Sequence, residues 1–384
     1  MTLKKKISKN NLNVEKRSKK IDEWFIPRDR SAFYDTHDFH PYFAAYPPNL
    51  VSRILDKYGK NRKTLLDPFM GGGSAVIEGV RNGYNTIGVD ISEFSKFITH
   101  AKTKPFKINK KISEQLIKKI TNTINIYRAG KLKINIIKIP EITNSDKWFN
   151  KDSLFELSII SNFILEINNN NHKNFFLLCL SSILRSCSNA KNAQQHLNIK
   201  KEKKIPNTLV LFKKKLELMQ NQMENYYKFF KIKKIKPQFK LYSDDVRKLS
   251  DIIKKNSIDI VITSPPYGTG SRYTDIYRLH FEFFGLNKPT SKRSLEKNKN
   301  FNDELNIGFK EIFKVMKKNS YFFCVYGDPS TEDSITLKAI NNCKKIGFKY
   351  LGLISCPIEK TVKKHHTSYK RFIPKDFILI FKKN

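Results

Sequence analysis

A chain of 384 residues with 39% hydrophobic content is long enough for one large domain or two modest ones, which excludes a disordered chain. Lys and Arg number 73 against 35 Asp and Glu, a formal charge of +38, and so large an excess points to a polyanionic partner, nucleic acid foremost. Five cysteines without a C-x-x-C pair, no signal-peptide core and no uncharged run of spanning length lead us to expect a reduced, cytoplasmic protein with no membrane span.

In chain order, residues 1–22 are Lys- and Asn-rich without periodicity and read as a basic flexible arm. Aromatic residues then gather in F-H-P-Y-F-A-A-Y-P-P at 39–48, followed by a helix with apolar Leu50, Ile54, Leu55 and Tyr58. A strand over 64–67, a glycine loop P-F-M-G-G-G-S over 68–74, a helix over 75–82 and a strand over 86–90 make a βαβ unit. Residues 104–239 change character to Lys/Asn/Ile-rich helical patterns. The clearest carries Leu209, Phe212, Leu216, Met219, Met223, Tyr226 and Phe230 at alternating threes and fours. With only three heptads, packing on neighbouring helices is preferred to a dimer zipper. Strand patterns resume at 239–242 and 258–263, a helix at 302–316, a strand at 320–326 and a helix at 331–346. The chain ends in an antiparallel pair, 348–355 with 377–381. The helical block therefore interrupts one α/β domain.

Two stretches carry chemistry. Asp259 to Gly268, D-I-V-I-T-S-P-P-Y-G, reads as a buried strand that delivers Ser264, Pro265, Pro266 and Tyr267 into a crevice. Two prolines remove two N–H donors, leaving an acceptor edge beside an aromatic face, which suits a planar ring with an exocyclic amine. On these residues alone a Pro-Pro turn with a packed tyrosine remains the plainer alternative. The glycine loop is neither G-x-x-x-x-G-K-[ST] nor G-x-G-x-x-G. Asp67 before it repels a pyrophosphate, and Asp90 ends the second strand where a Rossmann-like fold puts its ribose acceptor. That polarity fits an adenosine with a cationic tail. His365-His366 near Cys356 lack the ligand spacing of a metal site, so no metal is expected.

D-P-F-M-G-G-G-S with V-D-I-S downstream, and D-I-V-I-T-S-P-P-Y-G, together resemble the S-adenosylmethionine-dependent amino-group DNA methyltransferases, which methylate cytosine N4 or adenine N6. The 39–48 segment is similar to the aromatic cofactor segment of part of that family, and Y-S-D-D-V-R-K-L at 242–249 to its acidic segment. The resemblance, which covers roughly 35–103 and 240–384, implies a Rossmann-like methyltransferase sheet, mostly parallel with a C-terminal antiparallel hairpin, and the helical insertion that interrupts it matches none of the family's motifs. Its domain organisation is a catalytic domain of 23–103 and 240–384 and an insertion of 104–239 that is the candidate target-recognition region. By position it implies cofactor contacts from Tyr42, Asp67, Phe69, Gly71, Gly73, Asp90 and Asp245 (Asp244 an alternative). Ser264, Pro265, Pro266 and Tyr267 become the catalytic set, with Ser264 and the Pro265 carbonyl accepting from the target amine and Tyr267 stacking on the base. The loop departs from the family's usual choices at Met70 and Gly72. Arg272, Tyr273, Lys363, Lys364, Lys370 and Arg371 are candidate DNA contacts.

Ser before Pro-Pro favours cytosine N4 within that family, where adenine enzymes more often carry Asp or Asn, and adenine N6 stays the alternative. The implied partners are duplex DNA with a flipped base and a cognate restriction endonuclease acting on the same site. An RNA amine methyltransferase and an inactive nucleic-acid-binding subunit are the rival classes.

Overall fold

The computed structural model describes residues 21–27, 34–132, 136–192, 196–200, 202–266, 273–290, 294–295, 300–327, 335–358 and 375–384. Its eight strands are β1 (Ile21–Glu23), β2 (Thr64–Asp67), β3 (Asn85–Asp90), β4 (Gln238–Ser243), β5 (Ile258–Thr263), β6 (Met316–Gly327), β7 (Phe348–Pro357) and β8 (Lys375–Lys383). They form one sheet in the order β1-β7-β8-β6-β5-β2-β3-β4. β8 runs antiparallel to both neighbours, and every other pairing is parallel. This is the Rossmann-like sheet expected of the methyltransferases. The C-terminal hairpin is present, with β8 also wedged against β6.

The central parallel strands β2 and β5 are largely apolar because both faces are covered. Along β5, Ile260 and Ile262 face one side with Leu65, Phe323 and Val325, under α1 (Pro48–Tyr58). Val261 faces the other with Leu66, Phe322 and Leu379, under α9 (Phe301–Val315) and α10 (Ile335–Ile346). Between these come α2 (Ser74–Arg81), α3 (Glu93–Thr103), α4 (Lys110–Arg128), α5 (Lys151–Leu165), α6 (Asn170–Leu184), α7 (Thr208–Lys233) and α8 (Arg278–Phe283).

Helices α4 to α7 lie in the connection from β3 to β4. Each opens on an asparagine, Asn109, Asn150, Asn169 and Asn207, whose side chain accepts a first-turn amide. An Asn-rich chain thus turns that composition into helix caps. The apolar seam of α7 is buried throughout and belongs to one core that runs from Phe94 and Ile98 on α3 to Phe281 on α8. Packing within the chain accounts for the seam.

One boundary shifts. Residues 21–22, expected within the arm, lie in β1, which pairs in parallel with β7 through Ile21↔Leu353 and Asp22↔Ile354. Trp24 N extends the pairing by donating to Ser355 O at 2.8 Å. Residues 1–20 lie outside the described residues. No helix among the described residues is long and apolar enough to cross a membrane.

Candidate active site

The sheet order reverses between β2 and β5, and a crevice opens there at the carboxyl ends of the strands. It holds about 1090 Å³ including its open mouth. Four strand ends reach it: Pro68 after β2, Asp90 on β3, Asp244 and Asp245 after β4, and Ser264 to Pro266 after β5.

The glycine loop is shaped by close approach. Gly73, at φ +86°, caps α2, and a Cβ there would meet the Thr99 side chain at 2.8 Å. A Cβ on Gly72 would lie 2.6 Å from Cβ of Tyr42, so this third glycine, unusual for the family, is what lets Tyr42 cover the loop. Met70, the other departure, is buried, and its amide donates to Val89 O at 3.0 Å, pinning the loop to β3. The Tyr42 hydroxyl is 3.1 Å from Ser95 Oγ, and its ring stacks on Tyr273 and Tyr277 with centroids 5.8 and 5.0 Å apart.

Asp67 is fully buried behind the crevice wall. Oδ1 accepts from Thr263 Oγ1 at 2.6 Å and Phe69 N at 3.1 Å, and Oδ2 from Tyr46 OH at 3.0 Å. One carboxylate therefore joins the aromatic segment, the glycine loop and the residue before Ser264. Burial pushes its pKa up to about 7 against the opposing pull of these three donors. Asp90 lines the wall, with Oδ2 accepting from Gly71 N and Oδ1 from Ser92 N, each at 2.9 Å. Burial raises its pKa as well. Asp245 is buried and paired with Arg247, whose Nε donates to both carboxylate oxygens at 2.9 and 3.0 Å. Asp244 is half-buried on the same wall. Among the described residues lining the crevice none is Lys or Arg, although the chain carries +38.

Of the residues expected from sequence, Tyr42, Phe69, Gly71, Asp90, Asp245, Ser264, Pro265 and Pro266 share this crevice. Asp67 and Gly73 stand just behind it, holding its wall. Tyr273, a candidate DNA contact, also lines the crevice, stacked against Tyr42. Tyr267, Arg272, Lys363, Lys364, Lys370 and Arg371 lie outside the described residues, as do His365 and His366. Three wall or support residues were missed: Tyr46, Thr263 and Tyr277. Tyr46 sits in the aromatic segment already singled out, but irregular backbone has no periodicity from which to read its direction. Among the described residues no group of three or more His, Cys, Asp or Glu is placed to hold a metal, and all five cysteines are buried thiols.

Comparison with known proteins gives a consistent set. A family model described as DNA methylase matches residues 2–101. The Type II methyltransferase M.MvaI of Kocuria varians is 29% identical over 292 residues, which are 71% of this chain and 63% of that protein. The Type II methyltransferase M.BsoBI of Geobacillus stearothermophilus is 24% identical over 314 residues, 74% of this chain and 59% of that protein. The chain thus spans 63% and 59% of the length of these two curated relatives. Among solved structures, the rRNA methyltransferase aviRa from Streptomyces viridochromogenes covers 92% of this chain and 93% of its own at 10% identity. Its TM-score of 0.38 is too low to bear on fold or function.

Proposed function

We propose that this chain is an amino-group DNA methyltransferase that transfers a methyl group from S-adenosylmethionine to an exocyclic amine of a flipped DNA base, cytosine N4 in preference to adenine N6. The observation that carries the reading is the convergence of the glycine loop, Asp90 and Ser264–Pro266 in one crevice, tied from behind by Asp67.

The crevice fits that donor. Three carboxylates and no Lys or Arg among its described lining residues favour a cationic ligand and disfavour a pyrophosphate. Asp90 accepts two backbone amides and the Ser95 side chain, and a carboxylate has about four acceptor sites, so capacity remains for a ribose hydroxyl. Phe69 and Tyr42 supply apolar faces, and Asp244 or Asp245 accepts from an adenine amine. Bound there, S-adenosylmethionine supplies an electrophilic methyl on a positively charged sulfur.

The chain's own task is to present the nucleophile. An aryl amine is weak because its lone pair is delocalised into the ring. Acceptors on its N–H bonds turn and pyramidalise it, which restores density on nitrogen. Ser264 and the Pro265 carbonyl are those acceptors, and they directly follow a buried strand, which positions them before the base arrives. Tyr267 carries over from the motif as the stacking face, and such stacking, on the order of 1–3 kcal/mol per base, offsets part of the cost of flipping. Ser264 is the basis for favouring cytosine. The excess cationic charge elsewhere on the chain attracts the DNA, and a restriction–modification role with a nuclease of the same site follows from the reading.

The test supplies labelled S-adenosylmethionine with duplex DNA or structured RNA. Label enters DNA, and Asp90→Ala and Ser264→Ala each lower incorporation by tenfold or more. Incorporation into RNA alone, or variants as active as the wild type, would reject the reading.

A further inference from the structure

Lys102, in the last turn of α3, is 3% exposed. A lysine this deep has lost water, and its charge persists only where other polar groups replace it. Its Nζ donates to three backbone carbonyls: His40 O at 2.7 Å, His37 O at 3.3 Å and Gly72 O at 3.5 Å. Two of these belong to the His37–His40 stretch that leads into the aromatic segment and the third to the glycine loop. That loop's Gly72 lacks the Cβ that would meet Tyr42. A second buried charged residue secures the same segment to α2: Glu78 accepts from His37 Nε2 at 2.9 Å and from the Ser52 hydroxyl.

We infer that Lys102 is a positioning residue for the cofactor crevice, its amine clamping the Gly72 carbonyl to the His37–His40 segment so that Tyr42 stays stacked over the glycine loop. The inference rests on the proposed reading that the crevice takes S-adenosylmethionine. The number of hands on the clamp depends on protonation. An ammonium has three N–H donors for three carbonyls, whereas a neutral amine has two. Burial, joined by the charge of Lys215 from α7 and opposed by Asp38 from the turn before the aromatic segment, pulls the Lys102 pKa down to about 7. His37 and His40 face the same amine, and burial lowers both of their pKa values. The clamp therefore loosens within an accessible pH range.

Calorimetric titration of wild type and Lys102→Met with S-adenosylmethionine from pH 6 to pH 9 decides the matter. The variant binds about tenfold more weakly at pH 6, as expected for losing hydrogen bonds from a charged group, and the ratio of the two dissociation constants shrinks as pH rises past about 7. Asp67 titrates in both proteins and cancels in that ratio. Equal affinities at pH 6, or a ratio constant with pH, would overturn the inference while leaving the crevice reading intact. A wild type that does not bind removes the crevice reading and this inference with it. Should Lys102→Met fail to fold, hydrogen exchange on the wild type still decides. Protection of the Gly71 and Gly73 amides, corrected for intrinsic rates, falls as pH passes about 7, and level protection contradicts the clamp.

Discussion

Asp67 gathers three donors within 2.6–3.1 Å, from residues 2, 21 and 196 positions away in sequence. Its aspartate and the loop glycines are plain in the sequence as a motif, but the partners Tyr46 and Thr263 are not, because nothing local marks a contact made across the sheet. The same holds for Lys102, since a lysine in a helix's last turn ordinarily reads as an exposed partner of the dipole. Thr263→Val leaves the buried carboxylate one donor short and costs about 1–3 kcal/mol of stability in urea unfolding. Asp67 also makes stability depend on pH. Its folded pKa, about 7, lies above the ordinary aspartate value of 3.8. Its contribution is therefore fully present below about 4 and is lost as pH rises through about 7. Asp67→Asn, which cannot ionise, is destabilised relative to wild type, and that deficit narrows from pH 5 to pH 8; a constant deficit would mean the carboxyl does not titrate in this window. Gly72→Ala drives a methyl group into Tyr42 and weakens S-adenosylmethionine binding by at least tenfold in calorimetry, with a smaller effect on unfolding.

At the scale of elements, β5 was legible because burial on both faces demands an unbroken apolar run, and Pro265-Pro266 stops it. The α7 seam was equally legible as a helix, and the buried core decides what it packs against. Leu216→Ala on that seam costs about 2–5 kcal/mol. The loss is independent of protein concentration in denaturant titrations, whereas a zipper would make it concentration-dependent. β1 was not legible: three residues paired with a strand more than 300 positions later have no local signature. Tyr273 lines the crevice because the short helix Tyr273–Ile276 turns its ring onto Tyr42.

For the whole molecule, charge is divided by location. The chain carries +38, yet the described lining of the crevice is acidic. On the proposed reading, a cationic small ligand and a polyanion are attracted to different parts of one protein. Duplex DNA affinity falls steeply with salt as counterions are released. Affinity for the small ligand changes far less, since enclosed charges are weakly screened. Filter binding and calorimetry between 50 and 200 mM salt compare the two. The core of the helical block is continuous with that of α3 and α8. The central claim, that Ser264 and Pro265 present a DNA amine to a methyl donor, is tested most directly by mass spectrometry of nucleosides from DNA methylated by the purified protein. The account predicts N4-methylcytosine, abolished by Ser264→Ala; N6-methyladenine alone would contradict the choice of base, and DNA without any methylated amine would contradict the claim itself.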